Sequence, residues 1–379
     1  MHNLRPALLI LAALALLSAC TPQGEDPLVA TTPTSSETLT ETPAPPTAIP
    51  PSPTPSAPSI SIDNLDFLSA YISFDSQGEA IRSLAFSPDS TTLASSGGNR
   101  QDFNIRLWDV GSGQLLRTLH GHTGIVWNVA FSHDGAMLAS ASSDGTVKVW
   151  DWKNGTLIHS LDFPNEMVSV GFSPDSQTLA AGGVEKWPDA AIWTYAVGDW
   201  QPVLEYAEFW NIPDLAYTPD GQILVGGGTS RNVRVWRTSD GEELSILYHA
   251  GQVTSMDMSP DGSLLATGLC SVSTKDLECI EGAVWFWDVE RWAWIRRRSP
   301  FTTRVTSVAF SPDGSLVFAG SEDGTLRALS GSRADRFRTL RTFTVPGGRG
   351  LLAISPDGRL LATLGENGAI RIWKVSLVE

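Results

Sequence analysis

From about Asn64 onward the apolar residues come in short runs, broken by clusters of Ser, Pro, Asp and Gly. Runs this short, bounded by turn formers, predict β-strands rather than helices. One marker recurs seven times, an apolar strand closed by a small turn. It is found at Phe86-Ser-Pro-Asp89, Phe131-Ser-His-Asp134, Phe172-Ser-Pro-Asp175, Tyr217-Thr-Pro-Asp220, Met258-Ser-Pro-Asp261, Phe310-Ser-Pro-Asp313 and Ile354-Ser-Pro-Asp357. The aspartate spacings are 45, 41, 45, 41, 52 and 44. A second marker is a Trp in the third strand of each unit, at Trp108, Trp150, Trp193, Trp236, Trp287 and Trp373, with Leu329 in its place in the sixth. Each unit therefore reads as strand, Pro-Asp turn, strand, turn, strand ending in Trp, and fourth strand. A period of about 40–45 with four strands is the pattern of propeller blades.

These units resemble the WD-repeat β-propeller family. Trp108-Asp109, Trp150-Asp151 and Trp287-Asp288 match its name-giving dipeptide, and Gly121-His122 matches the Gly-His that opens a family repeat. Seven blades of about 45 residues need about 315, and residues 64–379 supply 316. The implied fold is all-β, a seven-bladed β-propeller of four-stranded antiparallel blades. The seventh repeat offers three strands, near Leu351–Ile354, Leu360–Leu364 and Ile370–Val375, and an extra strand at 65–74 precedes the first repeat. That N-terminal strand is expected to close the ring, with Leu68–Ser73 pairing antiparallel to Ile370–Val375 and hiding both open edges. The resemblance also implies a hydrogen-bonded chain inside a blade. Only the second repeat has the whole set: His122, Ser140 or Ser142, Asp144 and Trp150. His249 is placed like His122 and Asp323 like Asp144, with partners partly missing. These residues read as architecture, since a buried network stabilises only when fully satisfied.

The first residues read as an address. Arg5 precedes an apolar run from Ala7 to Leu17, then Ser18-Ala19-Cys20. This is a secretion-signal pattern, too short for a comfortable membrane span. Leu17-Ser18-Ala19-Cys20 resembles the lipobox of bacterial lipoproteins, which implies cleavage before Cys20 and a diacylglycerol on its thiol. From Thr21 to about Ser61 the chain is dominated by Thr, Pro, Ser and Ala, a composition that favours an unfolded tether. At about 3.1 Å per residue it reaches on the order of 100 Å. The expected organisation is a signal peptide at 1–19, a tether at 20–62 and a propeller at 63–379, lipid-anchored at the cell membrane and facing outside the cytoplasm.

Charge changes the picture of partners. The chain has 26 Lys+Arg against 41 Asp+Glu, a formal −15, which argues against nucleic acid. Three cysteines cannot build a disulfide scaffold or a four-thiolate zinc site. No Gly-x-Ser-x-Gly elbow is present, and a His120/His122 metal pair lacks a nearby third ligand. No enzyme activity, cofactor or metal is expected. One or more envelope proteins are the expected partners of a monomer.

Candidate interaction features remain. Loops longer than a blade needs occur at Gly98–Phe103, Val184–Ala190 and Leu269–Gly282, and surplus loop length is where function concentrates or drift is tolerated. The last holds Cys270 and Cys279, a candidate disulfide outside the cytoplasm. Trp127, Trp187, Trp210 and Arg82 form a candidate partner surface, with Trp200, Tyr206 and Phe209 nearby; several of these aromatic residues are expected to pack between blades. Residues 291–349 hold eleven arginines against four acids, which either blunt outer strand edges or meet anionic polymers. The expected function is a protein-interaction scaffold or recognition module. The alternatives are a Tol-type envelope propeller binding protein or glycan, and a propeller hydrolase or lyase.

Overall fold

The computed structural model describes residues 59–75, 80–99, 102–184, 190–208, 212–273, 279–365 and 368–375. The expected signal peptide, Cys20 and the tether up to residue 58 lie outside the described residues. The chain divides into two units, 1–54 and Pro55–Glu379, and all described residues belong to the second.

Twenty-eight strands among the described residues form seven four-stranded antiparallel sheets. Blade 2 shows the plan, with strands Val126–Phe131, Leu138–Ser142, Thr146–Asp151 and Thr156–Asp162 running outward from the axis. Each strand is covered according to its rank. Leu138–Ser142 is buried at every position, whereas the fourth strand of blade 1, Leu115–Leu119, is exposed at three of five. The first strands of successive blades touch one another around the ring. The hydrophobic core is accordingly not central. It is divided into seven clusters, each between two neighbouring blades.

The Ser-Pro-Asp turn is a repeated polar seal. In all seven blades its Ser or Thr hydroxyl donates to the Asp Oδ1 at 2.5–2.6 Å. The same oxygen accepts the amide five residues on at 2.8–3.0 Å. The Asp Oδ1 also accepts the amide two residues on at 2.9–3.1 Å. The turn thus satisfies its own backbone donors where two strands separate, which explains why the sequence repeats it.

The ring closes as the sequence predicts. Leu68–Phe74 pairs antiparallel with Ile370–Val375, from Leu68 opposite Val375 to Phe74 opposite Ile370, with a bulge between Ala70 and Ile72. The strand is shorter than expected, because Ile62–Phe67 forms a 3-10 turn. Asn64 explains the difference: its Oδ1 accepts the Ser61 amide at 2.8 Å and its Nδ2 donates to the Ser59 carbonyl at 2.8 Å. Such local bonds compete with extension. Leu65 and Leu68 then insert into the core between blades 6 and 7. Across the junction between blades 7 and 1, the Asp357 amide donates to Ser90 Oγ at 3.2 Å.

Polar side chains on the innermost strands bridge several of the blade junctions. Val129 N–H donates to Ser83 Oγ at 3.3 Å, Val170 N–H to Asn128 Oδ1 at 3.1 Å, and Val308 N–H to Ser255 Oγ at 3.1 Å. Two carboxylates serve the same purpose. Asp214 Oδ2 accepts the Met256 amide and Asp257 Oδ2 accepts the Phe310 amide, both at 2.6 Å. Burial among the inner strands pushes Asp214 up to about 6. Burial also raises Asp257 to about 7, with a smaller push from the Asp214 charge.

These groups predict a pH optimum. Raised carboxyls favour the folded state most while protonated, so their contribution falls as pH rises from about 4 through about 7. In the turns, hydrogen bonds hold Asp134, Asp175, Asp220 and Asp261 below the usual carboxylate range. Their contribution is present above about pH 4 and is lost as pH falls below it. Melting temperature is expected to peak at about pH 5. Asp257→Asn should flatten the decline between pH 5 and 8; a melting curve that declines as steeply in the variant contradicts the assignment.

Candidate functional site

An antiparallel meander places the turns after the first and third strands on one face of the ring, and the loops after the second and fourth strands on the other. The second face carries the long hairpin of blade 5 and the positions of the other two long second-to-third-strand connections, while the first face has one longer connection, residues 331–338 of blade 6; the second face is the candidate interaction surface.

Under this face the polar chain of blade 2 is complete. His122 Nδ1 bonds Asp144 Oδ2 at 2.8 Å and His122 Nε2 bonds Ser140 Oγ at 2.7 Å. Trp150 Nε1–H donates to the same Ser140 Oγ at 2.9 Å. Ser140 is therefore the linking serine; Ser142 instead donates to the Gly124 carbonyl at 3.0 Å. Burial pushes the Asp144 carboxyl up, but hydrogen bonds from His122, Thr146 and the Thr123 amide outweigh it and hold the group well below the carboxylate range. The tight turn Ser143-Asp144-Gly145 is fixed from below, which gives the loop a rigid base.

Blade 5 shows a shortened version. His249 Nε2 lies 2.9 Å from Thr267 Oγ1, and Trp287 Nε1–H donates to it at 3.2 Å. Burial lowers His249 to about 4, so the ring is neutral at physiological pH and accepts the indole proton. In blade 6 Asp323 Oδ2 accepts from Thr302 Oγ1 at 2.6 Å. Leu329 replaces the Trp there and packs in the core with Phe286 and Phe337.

The segment expected as a loop at Leu269–Gly282 is mostly a hairpin. Strands Leu264–Ser273 and Cys279–Asp288 extend beyond those of the other blades. Cys270 and Cys279 sit on its two arms with Cα atoms 5.7 Å apart and are joined by a disulfide. Its base presses against the loop entering blade 5, where a Cβ on Gly251 would lie 1.6 Å from the Cys270 carbonyl oxygen. Only glycine fits there. Arg231, Gln252, Ser271 and Arg304 line a cavity of about 260 Å³ beside the hairpin. A second cavity on this face, of about 320 Å³, lies between blades 2 and 3 and is lined by Asp144, Phe163, Pro164 and Glu166.

Arg82 and Trp127, on the first strands of blades 1 and 2, do meet: the guanidinium carbon lies 5.0 Å from the indole centroid. Trp187 and Trp210 lie outside the described residues, as does Phe209. Of the neighbouring aromatics, Tyr206 packs on Trp236 and Trp200 stacks on His159, so both fill space between blades. Three of the eleven arginines of residues 291–349 act as cross-braces. Arg333 pairs with Asp288 of the preceding blade at 2.6 Å, Arg298 donates to the Arg336 and Phe337 carbonyls, and Arg341 pairs with Asp66.

Asp214 and Asp257 were missed at the sequence level. The signal was an alignment of the repeats, in which Ala85, Ala130, Gly171, Ala216, Ala309 and Ala353 stand where Asp257 does. Among the described residues no group of three or more His, Cys, Asp or Glu is arranged to hold a metal ion.

Comparison with known proteins agrees with this geometry. The family model described as IFT122 first beta-propeller matches residues 80–274, and the WD domain, G-beta repeat model matches 297–328 and 339–374. Among curated proteins, the serine-threonine kinase receptor-associated protein of Gallus gallus is 26% identical over 70% of this chain and 71% of its own length. Autophagy-related protein 16 of Arabidopsis thaliana is 27% identical over 77% of this chain and 55% of its own. Periodic tryptophan protein 2 of Arabidopsis thaliana is 26% identical over 54% of this chain and 23% of its own.

Two outcomes follow for the loop face. His122→Ala leaves Asp144 without its ring partner in a part-buried site and should cost about 2–3 kcal/mol in urea unfolding; a cost below about 0.5 kcal/mol contradicts the network. Replacing both Cys270 and Cys279 by Ser should lower stability by up to about 2.5–3 kcal/mol on the chain-entropy account. Free thiols at both positions under non-reducing mass spectrometry contradict the bond.

Proposed function

Because the chain belongs to the WD-repeat β-propeller family, we propose that it serves as a protein-docking scaffold, held outside the cytoplasmic membrane by a lipid on Cys20. The observation that carries the docking reading is the contrast between the two faces. One face is dominated by seven near-identical Ser-Pro-Asp turns, each spent on its own backbone, with one longer connection at residues 331–338. The other carries unlike loops, the disulfide-tied hairpin of blade 5 and two cavities of different charge, one beside Arg231 and Arg304 and one beside Asp144 and Glu166. A rigid ring with one varied face offers a partner distinct contacts at little ordering cost.

The anchoring part rests on residues 1–20 and on the cysteine pair, since disulfides persist where the surroundings oxidise. The curated relatives named above are eukaryotic proteins and contribute nothing to it. We assign no catalytic step. The two inner carboxylates, Asp214 and Asp257, are each committed to a backbone amide of the next blade, which serves ring cohesion.

The test is a crosslinking pull-down from intact cells with the full chain, a Cys20→Ser form, and a form with the blade 5 hairpin shortened. The proposal expects one or two envelope proteins with the full chain and their loss with the shortened hairpin. It also expects release of the Cys20→Ser form from membranes. Equal recovery by the full and shortened chains contradicts the docking face, and membrane retention of Cys20→Ser contradicts the anchor.

A further inference from the structure

On the loop face, the turn between the second and third strands of blade 4 breaks a rule that its neighbours keep. Five residues before the third-strand marker stand Gly145, Gly324 and Gly368 in blades 2, 6 and 7, with φ of 80°, 80° and 76°. Blade 4 has Arg231 there, with φ 62°. The backbone makes the same two bonds with either residue. Arg231 N–H donates to the Gly228 carbonyl at 3.3 Å, and the Arg231 carbonyl accepts the His249 amide at 2.8 Å. Gly145 does the same with Ser142 and Phe163, and Gly324 with Ser321 and Val345. A left-handed arginine is therefore strained where glycine is not, and the turn gains nothing from the side chain. The guanidinium makes no hydrogen bond or ion pair with another described residue.

Arg304 is a second departure. Six residues before the Phe of the turn marker, the other blades carry Ala80, Ile125, Glu166, Asn211, Gln252 and Gly348, none of them basic. Arg304 is half-buried, and its guanidinium likewise makes no hydrogen bond or ion pair with another described residue.

Both arginines line the cavity of about 260 Å³ beside the blade 5 hairpin, Arg231 from blade 4 and Arg304 from the loop entering blade 6. No described residue of its lining is acidic. Glu281 of the hairpin is already paired with Arg297, and Ser271 Oγ donates to the Glu281 carbonyl and accepts from Arg297. Two uncompensated positive charges are thus gathered on one concavity of a chain whose net charge is −15. An anion held there relieves their repulsion.

The walls define the anion. The volume falls below the about 300–1,000 Å³ of small-molecule pockets and suits a single side chain better than a nucleotide. Val272, exposed on the hairpin, offers apolar surface to an aliphatic stem. Guanidinium forks match the geometry of a carboxylate. The Cys270–Cys279 bond and the close packing of Gly251 on Cys270 hold this wall in place, so little ordering is left for binding.

We propose that the cavity lined by Arg231 and Arg304 receives the glutamate or aspartate side chain of a partner protein, its carboxylate paired with the two guanidiniums. This names the partner chemistry of the loop face and rests on the docking reading above for the source of the side chain.

The test uses ligand-observed NMR on the full chain with the peptide Ac-Gly-Gly-Glu-Gly-Gly-NH2 and its glutamine and phosphoserine counterparts. The glutamate peptide is expected to bind saturably and to weaken with added salt. Arg304→Gln and Arg231→Gly should each weaken it about fivefold or more. Because Arg231→Gly restores the residue of blades 2, 6 and 7, it should also raise the melting temperature. Absence of saturable binding, or unchanged binding in either variant, overturns the site. Equal binding of the glutamine peptide overturns the role of charge, and tighter binding of the phosphoserine peptide overturns the carboxylate. A lower melting temperature in Arg231→Gly shows that the side chain serves the fold and also overturns the proposal. In the pull-down, a partner lost with the shortened hairpin but kept by the Arg231→Gly, Arg304→Gln double variant overturns the acidic contact and leaves the docking face standing. Equal recovery with the shortened hairpin overturns the docking face itself.

Discussion

No blade of this protein can bury its own faces. A four-stranded sheet has apolar side chains on both sides, and each side is covered only by the next blade, which is why all seven core clusters lie between blades. The ring therefore has to close. If it stayed open, the last face and a row of unpaired strand groups would meet water. Closure is achieved by a strand from the other end of the domain, Leu68–Phe74, so blade 7 is built from both ends of the folded region. The contact is not backbone pairing alone. Phe74 packs on Trp108 of blade 1 with ring centroids 5.0 Å apart, and Ile60 N–H donates to the Gly358 carbonyl at 2.7 Å.

That constraint separates what each polar residue does. Groups that face a neighbouring blade are spent on cohesion: Ser83, Asn128, Ser255, Asp214 and Asp257 accept amides across blade boundaries. The buried chain from Asp144 through His122 and Ser140 to Trp150 fixes one loop from beneath. Of the arginines that make a basic band on paper, Arg298, Arg333 and Arg341 are tied to carbonyls or acids of neighbouring segments. What remains for recognition is the loop face, with the disulfide-tied hairpin of blade 5 and its two cavities. Rigidity supplied elsewhere lets these positions depart from the repeat without loosening the ring.

The fold was legible because the repeat writes the same physics seven times. The Ser-Pro-Asp turn and the third-strand Trp each answer a local need, backbone satisfaction and inter-blade filling, and the spacing between them sets blade number. Closure by residues 68–73 could be read from a seventh repeat with three strands. The sequence misled where local chemistry overrode pattern. Asn64 turned 62–67 into a 3-10 segment, and the stretch 269–282, read as loop, paired into an extended hairpin. Site chemistry was less legible still. Asp257 stands out only against the residues at the same place in other repeats, and its partner, the Phe310 amide, comes from the neighbouring blade.

Native-state hydrogen exchange on the full chain tests the closed ring most directly. If closure governs the fold, amides of Leu68–Phe74 and Ile370–Val375 exchange with the same opening free energy as the second strands of blades 2 to 6, in one cooperative unit. Fast exchange of these two strands, with the other blades still protected, would contradict the account.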